Sequence, residues 1–315
     1  MPQSPRKLVI ATRQSALAFW QAEHVRGQLR RLHPDCVVEL LGLTTQGDRR
    51  LEVPLADIGG KGLFIKELEQ AMADGHADLA VHSLKDVPMD VPPGFALAAI
   101  MVREDARDAL VSARYRSLSD LPPDSSIGTS SLRREAQLRE RYPALRVEPL
   151  RGNVNTRLRR LDESNHVAII LAAAGLKRLG FGERIAALLD PSECLPAIGQ
   201  GALALECRSE REDVIAALAP LADCDATLAT IAERAFGRTL GGDCRTPLAA
   251  YAIERNGELW LRALIASRDG RNVLRGERTG RCTGGADADT LGGELGNELL
   301  ERGAAAILGG DASAR

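Results

Sequence analysis

Gly128-Thr129-Ser130-Ser131-Leu132-Arg133-Arg134 reads as the end of a short strand turning into a helix. Small hydroxyl residues at such a turn suit the N-cap position and leave backbone N–H groups open to an anion. Two arginines in the first helical turn oppose the helix dipole, so an anion is expected at that end. Arg151-Gly152-Asn153-Val154-Asn155-Thr156-Arg157 repeats the arrangement, and Thr12-Arg13-Gln14-Ser15 does so a third time. Strand-to-helix turns of this kind belong to α/β sheets, whose ligands bind at the carboxyl ends of parallel strands.

The surrounding chain supports this reading. Lys7–Ala11, Cys36–Leu43 and Leu79–Leu84 read as strands, with helices over Ser15–Leu32 and Gly62–Asp74. After Val91-Pro92-Pro93-Gly94 the pattern restarts. Ala109–Ser112, Ile127–Gly128, Val147–Leu150 and Val167–Ala172 read as strands, with helices over Leu132–Tyr142 and Val154–Glu163. This alternation predicts α/β structure with mostly parallel sheets. No internal sequence repeat is visible, although the two halves could share one plan. Beyond residue 220 the pattern changes. A helix over Ala226–Leu240 precedes three short strands joined at Asn256-Gly257 and Asp269-Gly270, both hairpin signals, and a helix near Ala288–Glu301 closes a small α+β domain.

Composition narrows the function. The chain has 315 residues, enough for about two domains of ~150 residues. Net charge is −2, only 3% of residues are aromatic, and five of the 41 basic residues are lysines. The neutral total conceals an asymmetry: residues 127–184 carry +6 and the remainder −8. A globally basic nucleic-acid binder is excluded on charge, and Tyr142 is the one aromatic residue in the basic segment before Phe181, too few for base stacking. No run approaches the ~18 apolar residues of a membrane span. The six cysteines form no CxxC pair, and the five histidines show no metal-ligand spacing, so no metal is expected. A reduced cytoplasmic protein is the expectation. No GxxxxGK[ST] or GxGxxG motif occurs in the required context. Ile58-Gly59-Gly60-Lys61-Gly62-Leu63-Phe64 is glycine-rich without P-loop order. A small polycarboxylate suits the arginine forks best.

Two further segments could carry chemistry. Val81-His82-Ser83-Leu84-Lys85-Asp86-Val87-Pro88 sets Lys85 and Asp86 at a strand end, where the plain alternative is a turn with a local ion pair. Leu240-Gly241-Gly242-Asp243-Cys244-Arg245 puts a cysteine beside a cation that favours thiolate, where the plain alternative is a small buried side chain.

These motifs together resemble the porphobilinogen deaminase (hydroxymethylbilane synthase) family. Ile10–Ser15, Gly59–Phe64, Ala80–Pro88, Gly128–Arg134, Arg151–Asn153, Ala173–Gly180, Pro196–Gly201 and the Cys244 turn follow in family order from residue 8 to about 265. The resemblance implies a transferase of tetrapyrrole (haem) biosynthesis. It joins four porphobilinogen molecules head to tail, releases ammonia each time, and builds the chain on a dipyrromethane cofactor held by a thioether to Cys244. Asp86 is then the catalytic carboxylate, stabilising the azafulvene cation left by ammonia loss. Lys85, Thr129, Ser131, Arg133 and Arg134 bind the cofactor, Arg13, Ser15, Arg151, Arg157 and Arg178 bind substrate carboxylates, and Lys61 belongs to a flexible loop. The implied fold is two doubly wound lobes like those of periplasmic binding proteins, residues 1–101 with 202–219 and residues 102–201, plus the small domain 220–315. A monomer is implied, with porphobilinogen as the partner and neither nucleic acid nor membrane. Asp243 departs from the family's usual glycine, and Asp57 from a frequent loop lysine. A non-catalytic two-lobed anion-binding module explains the arginines equally well, but not Asp86 or Cys244. A cysteine-dependent hydrolase would need a histidine partner, and none is near Cys244 in sequence.

Overall fold

The computed structural model describes residues 5–49, 65–242 and 246–310. In chain order the elements are β1 Lys7–Arg13, α1 Ala16–Leu32, β2 Val37–Leu43, α2 Gln46–Arg49, α3 Lys66–Ala73, β3 Leu79–Ser83 and β4 Phe95–Ile100. There follow β5 Asp108–Val111, β6 Ser126–Gly128, α4 Leu132–Arg141, β7 Arg146–Glu148, α5 Val154–Glu163, β8 Ala168–Ala172, α6 Ala173–Arg178 and β9 Ile185–Leu188. Then come β10 Leu203–Arg208, α7 Glu212–Leu218, α8 Cys224–Thr239, β11 Leu248–Arg255, β12 Glu258–Ala266, β13 Val273–Gly280, α9 Gly285–Glu301 and α10 Ala304–Gly310.

The chain folds into two compact units, residues 1–104 with 202–227 and residues 105–201 with 228–315. The first unit is built on a five-stranded sheet of order β2-β1-β3-β10-β4. β1 pairs in parallel with both β2 and β3, whereas β10 is antiparallel to β3 and β4. Leu8, Ile10, Val38, Leu79, Val81 and Leu205 meet Ala22, Val25 and Leu29 of α1 in the main core. Ser15 caps α1, its Oγ accepting from the Ala18 N–H at 3.3 Å. On the other sheet face, Leu68 and Met72 of α3 pack against Ala11 and Ala80.

The second unit contains a sheet of order β7-β6-β8-β5-β9. β6 pairs in parallel with β7 and β8, and β5 is antiparallel to β8 and β9. The two sheets therefore share one plan: three parallel strands, then one reversed strand, then the edge. The edge strands β4 and β9 run with the parallel three, so four of five strands in each sheet point one way, in agreement with the expectation of mostly parallel sheets; the single reversed strand in each was not foreseen. The reversed strands β10 and β5 are not joined to their sheet neighbours by the helical crossover that enforces parallel direction, so either direction is open to them.

The same unit carries the three-stranded antiparallel sheet β11-β12-β13. Its β11–β12 hairpin turns at Asn256 (φ 54°) and Gly257 (φ 83°), the left-handed pair that a two-residue hairpin requires. Leu291, Leu295 and Leu299 of α9 lie over Gly280 and Gly276 of β13. The other face meets α4: Ala249, Leu264 and Ala266 cluster with Ala136 and Leu195.

Candidate active site

Within each unit, the expected site residues that the structure describes lie at or just beyond the C-terminal ends of the parallel strands. In the first unit Arg13 ends β1 and Ser15 caps the following helix. Ala11 stands opposite Ala80, so β3 ends beside β1, and the chain there makes a 3₁₀ turn over Leu84–Asp86. Lys85 is half-buried and Asp86 exposed in that turn. The turn is anchored by Leu84, whose side chain is buried and whose N–H donates to the Ala202 carbonyl at 3.0 Å. Ser83 accepts from the buried Gln21 amide at 2.9 Å.

In the second unit Thr129 and Ser131 link β6 to α4. Ser131 occupies the N-cap position of α4, but its hydroxyl makes no capping bond; its own N–H donates to Thr129 Oγ1 at 3.2 Å. The Ser130 hydroxyl oxygen is buried without a partner among the described residues. After β7, Gly152 takes φ +117°, and a Cβ there would lie 2.7 Å from Thr156 Cγ2. Asn153 caps α5 through the Thr156 N–H at 2.9 Å, and Arg157 Nε donates to the Gly152 carbonyl at 2.7 Å. Arg151 is half-buried, and burial lowers the pKa of its guanidinium. Arg178 on α6, after β8, donates through Nη2 to the Gly201 carbonyl at 2.7 Å.

Arg133 and Arg134 are each only 5% exposed. The anion expected at their helix end exists within the protein. Asp108, at the start of β5, is fully buried and accepts from Arg133 Nη1 at 2.7 Å and from Arg134 Nη2 at 2.7 Å and Nε at 3.1 Å. Burial alone would raise the pKa of this carboxyl, but the attraction of the two guanidiniums outweighs it and holds the group well below the usual carboxylate range. Cys194 donates to the same carboxylate at 3.3 Å, and burial pushes that thiol up to about 12, so it is inert at neutral pH. The sequence reading passed over Asp108. The available signal was an acidic residue opening an apolar strand 25 and 26 positions before the two arginines it meets. It also passed over the buried pair His82–Glu206, at 2.8 Å across β3 and β10. Lys61 and Cys244 lie outside the described residues, as do Asp57 and Asp243.

One carboxylate balances one guanidinium, so the buried trio keeps a charge of about +1. Arg133 Nε is buried without an acceptor among the described residues. Such a donor, with half-buried arginines on two further strand ends, is built for a polyanion.

The comparisons with known proteins decide which. Residues 8–216 match the family model "Porphobilinogen deaminase, dipyromethane cofactor binding domain" and residues 227–301 match "Porphobilinogen deaminase, C-terminal domain". The chain belongs to the porphobilinogen deaminase family. A porphobilinogen deaminase of Paraburkholderia phytofirmans is 58% identical over 304 residues, covering 96% of this chain and 89% of the relative. One of Burkholderia vietnamiensis is 58% identical over 305 residues, covering 97% and 92%. Among solved structures, the methionine-binding protein MetQ aligns with a TM-score of 0.45 and 12% identity, over 69% of this chain and 90% of that one. Porphobilinogen deaminases are hydroxymethylbilane synthases: transferases of tetrapyrrole biosynthesis that condense porphobilinogen head to tail, with loss of ammonia, on a covalently bound dipyrromethane. That cofactor bears acetate and propionate groups, which the unclaimed donors at the α4 end fit. Among the described residues no single helix is long and apolar enough to cross a membrane.

Proposed function

We propose that this chain performs the family reaction with Asp86 as its catalytic carboxylate. The supporting observation is position. Asp86 is an exposed carboxylate in a short anchored turn at the C-terminal end of β3, next to the strand end that bears Arg13. When bound, dipyrromethane supplies the primer from which the pyrrole chain grows. Asp86 accepts the pyrrole N–H of the incoming porphobilinogen and stabilises the positive charge that develops as the aminomethyl C–N bond breaks and ammonia leaves. Asp86 would also be the base at hand for the α-carbon proton that must leave the acceptor ring when the new carbon–carbon bond is made.

The cationic side chains bind and orient. Arg133 and Lys85, with the hydroxyls of Thr129 and Ser131, hold cofactor carboxylates; Arg134, whose three nitrogens already donate to Asp108 and the Ile170 carbonyl, adds its charge to that site. Arg13, Ser15, Arg151, Arg157 and Arg178 hold substrate carboxylates, the planar forks of arginine giving bidentate contacts. Cys244 carries the thioether. The proposal extends to a three-part chain (1–101 with 202–219, 102–201, and 220–315), and to a cytoplasmic monomer acting on porphobilinogen without nucleic acid or membrane. The test is chemical: the purified chain should release one ammonia for each porphobilinogen consumed and form a linear tetrapyrrole. Consumption without ammonia release, or no consumption, would overturn the reading.

A further inference from the structure

Arg133 and Arg134 look alike in sequence but are held differently. All three nitrogens of the Arg134 guanidinium group are engaged: Nε and Nη2 on Asp108 Oδ1, and Nη1 on the Ile170 carbonyl at 2.9 Å. Arg133 is held through one nitrogen, Nη1, which donates to Asp108 Oδ2 at 2.7 Å and to the Leu195 carbonyl at 2.6 Å. Its Nε, buried, has no acceptor among the described residues. The Leu195 carbonyl is itself steadied, because Gln137 donates to it at 3.2 Å and accepts from the Leu195 N–H at 2.7 Å.

Asp108 is fixed in turn. The fully buried Gln200 donates from one amide nitrogen to Asp108 Oδ1 at 2.9 Å and to the Ala106 carbonyl at 2.6 Å. Gly199, beside Gln200, donates its N–H to the buried Glu233 of α8 at 2.7 Å, and Glu233 also accepts from Ala252 of β11 at 2.8 Å. The carboxylate between the arginines thus accepts from a buried amide that is itself bonded to the backbone at Ala106, in a segment whose neighbouring Gly199 is held by Glu233.

We propose that Asp108 is a positioning residue for cofactor capture: it immobilises Arg133 by Nη1, leaving Nε for a dipyrromethane carboxylate, and Gln200 holds Asp108 for that purpose. The proposal rests on the reading that Arg133 binds the cofactor. A guanidinium already locked in place loses little freedom when its ligand arrives, which raises affinity without adding a contact. The net +1 of the cluster supplies the attraction, in a site where a buried charge is costly until it is paired.

The test compares the wild-type chain with Asp108→Asn and Gln200→Leu, each produced without cofactor and then incubated with porphobilinogen. Two quantities are read on the folded fraction: the share of chains with a covalent dipyrrole by intact mass, and the melting midpoint before loading. We expect Asp108→Asn to load about tenfold more slowly than wild type, the scale of one lost charged hydrogen bond. A merely structural role would lower the midpoint and the yield while leaving the loading rate of folded chains unchanged. Gln200→Leu keeps all three charges and frees the carboxylate, so its loading should slow by about threefold. Wild-type loading by folded Asp108→Asn overturns the proposal. If that variant does not fold, wild-type loading by Gln200→Leu overturns it. Failure of the wild-type chain itself to acquire a dipyrrole would instead refute the underlying reading of the site.

Discussion

Gly270 lies so close to α4 that a Cβ added to it would sit 2.6 Å from the Ala136 carbonyl oxygen and 2.8 Å from the Glu140 nitrogen. Its φ of +72° independently favours glycine. The Asp269-Gly270 turn is therefore a docking point as well as a hairpin signal. It seats the C-terminal sheet on the helix whose first turn bears Arg133 and Arg134, flanked by Arg268–Glu135 and Arg275–Glu140 ion pairs. Gly270→Ala should destabilise the chain by about 2–4 kcal/mol, since backbone on both sides cannot yield cheaply. Urea unfolding would check it. A midpoint equal to wild type would show that the contact is not tight.

Acid should unfold the protein through its paired carboxylates. Asp108 and Asp105 both titrate well below the usual carboxylate range. For Asp105 the chief cause is the Arg107 hydrogen bond, with Lys177 Nζ at 2.9 Å adding to it. A depressed folded pKa means that stability is fully present above the unfolded carboxyl pKa of ~3.9 and is lost as pH falls through the folded value. Melting midpoints should be level at neutral pH and fall steadily below about pH 5. Asp105→Asn should flatten part of that fall, and an unchanged slope would contradict the assignment.

Glu69 on α3 has the opposite sign. Burial first, and then repulsion from Glu206, push its pKa up. A raised acid favours the folded state while protonated, so its contribution is present at low pH and lost as pH rises through the folded pKa. Glu69→Gln should therefore raise the melting midpoint at pH 8 and leave it unchanged near pH 4. A lower midpoint at pH 8 would mean that ionised Glu69 is stabilising.

The strand-to-helix turns at Thr12–Ser15 and Gly128–Arg134 were legible because their signals are local. Hydroxyl caps and arginines at a helix start say that a strand has ended and that negative charge is near. Which negative charge was not legible. Part of the answer, Asp108, stands on another strand, and only the fold brings it to Arg133 and Arg134. The pair His82–Glu206, 124 residues apart, was hidden for the same reason. Helix α4 has no apolar stripe at its start because its inward face there is Arg133, Arg134 and Gln137, buried by pairing rather than by hydrophobicity. β4 and β10 were missed: their apolar runs are plain, but nothing local assigns them to a sheet already three strands wide. The roles of Asp86 and Cys244 came from the family resemblance alone.

Asp86→Asn separates chemistry from binding. The amide keeps the shape of the turn but can neither stabilise a developing cation nor take a proton. Turnover of porphobilinogen should fall by about 10²–10⁴-fold, with melting midpoint and covalent dipyrrole content as in wild type. Near-normal turnover would remove Asp86 from the mechanism, and loss of the dipyrrole would move its role to cofactor capture.

The most direct test of the account is the intact mass of the purified, active chain, read beside its rate of porphobilinogen consumption. The account predicts a mass raised by one dipyrromethane unit, the adduct mapping to Cys244 by peptide analysis and absent, together with activity, in Cys244→Ser. A fully active chain with the unmodified mass would contradict it.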